Sequence, residues 1–177
     1  MPTLDVRAST LVIVDMQTKL MAAMEQAAAT VVNARRLGAA AELLGVPILV
    51  TEQNPRGLGA TVPELAPYRK ELVPKMTFDA MRAAGFLERI PQAHAVVIAG
   101  CEAHVCVLQT ALSLVDSGRR AFVVRDAICS RRPESLETAV RRMERNGVEI
   151  VTTEMVLFEW LETAEHPRFR ETVALVK

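Results

Sequence analysis

Residues 95–112 read Ala95-Val-Val-Ile-Ala-Gly-Cys-Glu-Ala-His-Val-Cys-Val-Leu-Gln-Thr-Ala-Leu112. The β-branched apolar run Ala95–Ala99 predicts a buried strand, and Gly100 stops it. Helical spacing follows from Val105 to Asp116, with Cys106 in or near its first turn. Strand, short turn, cysteine, helix is an arrangement suited to a nucleophile. A helix N-terminus carries partial positive charge and free N–H groups, and both are expected to lower the Cys106 thiol pKa. The same N–H groups suit the oxyanion that forms when a thiolate attacks a carbonyl.

Working outward, similar runs recur. Thr10-Leu-Val-Ile-Val-Asp15 predicts a first strand and Val46-Pro-Ile-Leu-Val-Thr51 a second. Glu71-Leu-Val-Pro-Lys75, Arg120-Ala-Phe-Val-Val-Arg-Asp126 and Val148-Glu-Ile-Val-Thr152 complete the set. Helical spacing runs over about 24–44, ending at Gly45, and over Pro133–Asn146. A last helix over Thr153–Ala164 has Thr153 as its expected cap. Gln53–Pro67 reads as a loop, and Ala80–Ile90 as one or two helical turns broken by Gly85. His166 onward reads as a tail with one apolar stripe. Strands alternating with helices give an α/β fold, with a parallel sheet between two helical layers. One domain is expected over residues 1–177.

Composition narrows the function. Half of the 177 residues are hydrophobic, which suits a sheet buried on both faces. Lys plus Arg and Asp plus Glu each number 21, so no nucleic-acid or acidic-membrane partner is expected. The doublets Arg35-Arg36, Arg119-Arg120, Arg131-Arg132 and Arg141-Arg142 sit among acids and read as solvated helix faces. Three cysteines, no basic-then-apolar leader at Met1-Pro-Thr-Leu-Asp5 and no long apolar run predict a reduced cytoplasmic protein. No Cys-x-x-Cys, His-x-His or Asp-x-His spacing supports a metal site.

In parallel α/β sheets ligands sit at the carboxyl ends of strands, where strand order reverses. Asp15 ends the first strand, Lys75 ends the third, and the fourth leads to Cys106. A base, a cation and a thiol are thus expected at one edge. Asp15 would take the thiol proton, and Lys75 would hold both anions charged. His104 stands two residues from Cys106, a spacing that does not bring helical side chains face to face. His94 and His166 read as surface residues, and Trp160 and Phe158 as core or interface residues. Cys101 is expected in the turn itself and Cys129 in the loop after the fifth strand. Gln17, Gln53, Met76 and Phe78 are the candidates to line a substrate pocket.

Taken in order, Leu11-Val-Ile-Val-Asp-Met-Gln17, Pro74-Lys75, Gly100-Cys-Glu-Ala-His-Val-Cys-Val107, Asp126-Ala127 and Thr152-Thr-Glu154 resemble the isochorismatase-like cysteine hydrolase family. Thr51-Glu-Gln53, Gly57-Leu-Gly59, Leu157-Phe158-Glu159 and His166-Pro167 are similar to the isochorismatase-domain-containing proteins, mostly hydrolases of unassigned substrate. The resemblance implies a six-stranded parallel sheet in the order 3-2-1-4-5-6. It implies an Asp-Lys-Cys set at Asp15, Lys75 and Cys106, and a cis peptide at Cys101–Glu102. It also implies an oxyanion site at the backbone N–H groups of Glu102 and Cys106. Nicotinamidases of that family bind a metal through Asp-x-His after the second strand. This chain carries Thr51-Glu-Gln-Asn-Pro55 there, which argues against a metal-dependent nicotinamidase.

The expected function is a metal-independent, cofactor-free cysteine hydrolase of a small amide or related C–N bond, acting through a thioester. Its partner is a small-molecule substrate, and the apolar tail with the resemblance points to a homo-oligomer. Two other readings fit the same residues. One is vinyl ether hydrolysis of the isochorismatase type, where the cysteine need not be the key residue. The other is a non-catalytic binding or scaffold protein on the same fold.

Overall fold

The computed structural model describes residues 3–177. Its strands are β1 (Ser9–Val14), β2 (Ile48–Gln53), β3 (Leu72–Lys75), β4 (Ala95–Cys101), β5 (Ala121–Cys129) and β6 (Glu149–Val151). They form one sheet in the order β3-β2-β1-β4-β5-β6, with every pairing parallel. The α-helices are α1 (Thr18–Met21), α2 (Ala27–Leu44), α3 (Pro55–Leu58), α4 (Leu108–Asp116), α5 (Pro133–Arg145), α6 (Thr153–Leu161) and α7 (Phe169–Val173). Among the described residues no helix is long and apolar enough to cross a membrane.

All six positions of β1 are buried, because the strand is covered on both faces. Its side chains alternate between two cores. Leu11 and Ile13 join Leu37 and Ala41 of α2 and Trp160 of α6. Val12 and Val14 join Leu108 and Leu114 of α4 and Met143 of α5. This alternation is why the central strands read as unbroken apolar runs.

Strand order reverses between β1 and β4, the position at which such sheets bind ligands. The register there brings strand ends level: Val14 pairs with both Thr51 and Gly100, and Gln53 pairs with Lys75. Gly100 is required at this rung. Its φ of +139° disfavours side chains, and an added Cβ would lie 2.2 Å from the Val14 carbonyl oxygen.

Several local expectations shift. β4 and β5 run on to Cys101 and Cys129, so neither cysteine lies in a loop. The segment expected as the Gln53–Pro67 loop holds α3 and a 3-10 stretch over Pro63–Tyr68, each with a proline in its first turn. The stretch over Ala80–Ile90 is two 3-10 turns, at Ala80–Arg82 and Leu87–Arg89. Thr152, not Thr153, caps α6, since the Thr153 backbone N–H and hydroxyl both donate to Asp126 Oδ1. The tail beyond His166 contains α7. His94 is half-buried and bonds Thr10 through Nδ1, rather than standing free at the surface.

A Gly100→Ala variant should lose roughly 3–5 kcal/mol of stability, since a backbone clash adds to a strained φ. Gly45→Ala meets no atom within 4 Å and should lose only about 1–2 kcal/mol for its left-handed φ. Chemical denaturation of the two variants side by side checks this; equal losses would mean the β1–β4 approach is not tight.

Candidate active site

Asp15 follows directly on β1 and has a positive φ of 50°. That conformation costs a non-glycine residue about 1–3 kcal/mol, although aspartate tolerates it better than most. It is fixed by two backbone bonds: Asp15 N–H donates to Thr51 O at 3.1 Å, and its carbonyl accepts from Gln17 N–H at 2.8 Å. The side chain is fully buried. Its Oδ2 accepts from Lys75 Nζ at 2.6 Å and its Oδ1 accepts from the Thr51 hydroxyl at 2.6 Å.

Lys75, the last residue of β3, is 4% exposed. Besides Asp15, its Nζ has Gln53 Oε1, Thr77 O and Phe78 O as acceptors, each at 3.2 Å. An ammonium has three N–H donors and no acceptor. All of its protons are therefore committed, and the group acts as a fixed positive charge. Breaking such a buried pair from one side strands the other charge, which costs about 3–5 kcal/mol.

Cys106 lies in a π turn over Ala103–Val107 that leads into α4, not in the first turn of an α-helix. The turn is pinned where Val105 N–H and Val107 N–H both donate to Glu102 O, at 3.0 and 3.2 Å. Insertions of this kind often occur at functional sites. The Cys101–Glu102 peptide before it is cis. The Cys106 thiol, 4% exposed, faces both the Asp15 carboxylate and the Lys75 ammonium. Its pKa is pushed up to about 12, first by burial and next by the negative charge and hydrogen bond of Asp15; Lys75 opposes this without prevailing. The expectation of a lowered thiol pKa from a helix end is thus overturned. Desolvation and a neighbouring carboxylate outweigh the helix terminus. At rest Cys106 is therefore a neutral thiol beside the Asp15 carboxylate.

The other candidates take different places. Gln17 spends both ends of its amide on backbone: Oε1 accepts from Gln53 N–H, and Nε2 donates to the Gln53 and Gly59 carbonyls. Gln53 bonds Lys75 through Oε1 and the Met76 carbonyl through Nε2. Met76 and Phe78, at 71% and 53% exposed, flank the carbonyls that hold Lys75. The Glu102 carboxylate accepts from Arg131 N–H and Nε, and His104 Nδ1 bonds Ser130 Oγ at 2.9 Å. Both side chains tie the Cys106 turn to the exit of β5. The Cys101 thiol donates to the Asp15 carbonyl at 3.2 Å; a hydrogen bond with Cys129 and burial push its pKa well up.

Thr51 is a residue of the site that sequence reading missed. It touches Asp15 directly, yet a threonine inside a strand run reads as an ordinary β-former. The one available signal was its position two residues before Gln53, which puts both side chains on one face of β2.

A family model described as the isochorismatase domain matches residues 9–155. Isochorismatase domain-containing protein 1 of Danio rerio is 37% identical over 166 residues, which cover 92% of this chain and 59% of that protein. Isochorismatase domain-containing protein 2 of Xenopus laevis is 36% identical over 172 residues, covering 96% of this chain and 84% of the relative. Among solved structures, the MAR1 ribonuclease from Caenorhabditis elegans superposes with a TM-score of 0.94 at 32% identity, over 98% of this chain and 92% of that one. The chain therefore spans about 59% of the length of the first of these relatives and most of the other two.

The site makes a counter-intuitive prediction. Asp15→Asn removes the charge that raises the Cys106 thiol and leaves Lys75 in place, so the thiol pKa falls from about 12. Thiolate is the reactive form, so iodoacetamide labelling of Cys106 near neutral pH should speed up by at most about tenfold for each unit of that fall, the larger thiolate fraction being partly offset by weaker nucleophilicity. Lys75→Met removes the lowering partner and should slow labelling further. In the unaltered protein the rate should climb with pH without a plateau below about 12. Peptide mapping of the alkylated cysteine reads all three; slower labelling in Asp15→Asn would mean that Asp15 does not hold the thiol proton.

Proposed function

The chain belongs to the isochorismatase family of hydrolases, and on that premise we propose that it cleaves a small carboxamide or related C–N bond through a thioester on Cys106. The observation that carries this reading is the buried thiol that meets a carboxylate, itself fixed by an ammonium at 2.6 Å. A protonated thiol beside a carboxylate calls for general-base attack rather than a standing thiolate.

As Cys106 Sγ bonds to the carbonyl carbon, its proton passes to Asp15 and the carbonyl oxygen becomes an oxyanion. Backbone N–H groups of the 102–106 turn, those of Glu102 and Cys106 first, receive that oxyanion. Lys75 stays an ammonium throughout and compensates the charge as it moves from Asp15 to the sulfur and oxygen. Collapse of the oxyanion breaks the C–N bond, and the proton on Asp15 goes to the leaving nitrogen. Water then adds to the thioester and gives a proton to Asp15. Breakage of the C–S bond returns that proton to sulfur and frees the acid.

We also read the protein as a homo-oligomer. Met76 and Phe78 carry large apolar side chains that stand more than half exposed beside the site. A surface of that kind suits a second copy or the substrate itself. Ribonuclease activity belongs to the description of the nematode relative; with acids and bases balanced at 21 each, this chain offers no comparable reason to expect RNA as a substrate.

A panel of small amides and ureas, followed by product analysis and intact mass after acid quench, tests the reading. An active amide should leave an acyl group on Cys106. Cys106→Ala should lose activity by about a thousandfold or more, the scale of losing a covalent nucleophile. Activity surviving in Cys106→Ala would overturn the thioester scheme and favour chemistry that does not use the cysteine.

A further inference from the structure

β2 ends in Thr51-Glu-Gln53, and the strand period sends Thr51 and Gln53 to one side and Glu52 to the other. The contacts follow that alternation. Glu52 Oε1 accepts from the Thr61 N–H and hydroxyl at 2.8 and 2.7 Å, away from the ion pair. Thr51 donates to Asp15 Oδ1, and Gln53 accepts from Lys75 Nζ. One strand thus supplies a partner to each member of the pair.

The two oxygens of Asp15 have unlike partners. Oδ2 faces an ammonium, which can only donate. Oδ1 faces the Thr51 hydroxyl, which can donate or accept. When Asp15 gains a proton, a proton on Oδ2 would confront the N–H groups of Lys75. A proton on Oδ1 meets an oxygen that can accept it once the hydroxyl rotates about its C–O bond. Thr51 is fully buried, so no bulk water takes over that exchange.

We propose that Thr51 is a positioning residue for hydrolysis: it directs the transferred proton to Asp15 Oδ1 and reverses its own hydroxyl as Asp15 alternates between carboxylate and acid. The proposal rests on Asp15 serving as the base for Cys106. In the step, the proton leaves Sγ and bonds Oδ1, while Thr51 keeps its own proton and turns from donor to acceptor. The proton later passes from Oδ1 to the leaving nitrogen.

Two acyl probes separate this role from simple packing. Para-nitroacetanilide needs a proton on its leaving nitrogen; para-nitrophenyl acetate releases a stable phenolate without one. Thr51→Val keeps the side-chain shape and deletes the hydroxyl. It should lower kcat on the anilide by about tenfold or more, as expected for losing a hydrogen bond to a charged group, with little change in KM. The ester shares the transfer from Sγ to Asp15 and should also slow, but by less, because its leaving group needs no second transfer from Oδ1; Thr51→Ser should restore the anilide rate. Equal losses on both probes, or failure of Thr51→Ser to restore activity, would overturn the proposal and leave Thr51 a packing residue. Cys106→Ala run in parallel keeps the two claims apart: unchanged turnover there overturns the thioester reading itself, whatever Thr51 does.

Discussion

The buried ion pair between Asp15 and Lys75 is the constraint on which the site depends. Both charges lie out of water, so each is tolerable only while the other is present. Its upkeep explains much of the surrounding chemistry. The carbonyls of Thr77 and Phe78 and the Gln53 amide surround the ammonium, and the Thr51 hydroxyl takes the free carboxylate oxygen. Gln17 in turn fastens Gln53 to the segment around Gly59. The consequence for Cys106 is a thiol that remains protonated next to a carboxylate, the proposed base. A pair that held the sulfur as a standing thiolate would expose a strong nucleophile to any electrophile. Under the proposed mechanism this pair instead releases the nucleophile when a carbonyl is in place to receive it.

The sheet sets the geometry of that pair. Asp15, Thr51, Gln53 and Lys75 come from three strands whose ends are level because the register makes them so. On the other side of β1, Gly100 lets β4 approach closely enough to bring the Cys106 turn beside Asp15. Glu102 and His104 then tie that turn to Arg131 and Ser130 at the end of β5. The reversal of strand order opens the crevice; these short contacts place the sulfur in it.

Much of this was legible in the chain itself. Buried parallel strands read as continuous apolar runs, so their number could be anticipated, while their order followed from the family resemblance; Asp15, Lys75 and Cys106 stood out as polar or reactive residues where such runs end. The parts that were not legible depend on the solid environment rather than on spacing. A helix terminus near Cys106 suggested a lowered pKa, but the sign is decided by burial and by Asp15, and neither magnitude is written in the sequence. The π turn differs from an α turn by one residue of hydrogen-bond register, which side-chain periodicity does not resolve. Thr51 hid inside a good strand pattern. Thr152 and Thr153 are both proper caps, and only the contact of Thr153 with Asp126 decides between them.

Burial and the Asp15 carboxylate together keep Cys106 protonated at rest. The most direct test of this is the chemical shift of the Cys106 β-carbon, followed through the ordinary thiol range in protein carrying carbon-13 cysteine, with Cys101 and Cys129 assigned by substitution. The expected signal is that of a neutral thiol with no ionisation near its usual pKa, and in Asp15→Asn the inflection should move down toward that range, burial still holding it above. A thiolate signal at neutral pH in the unaltered protein would contradict it.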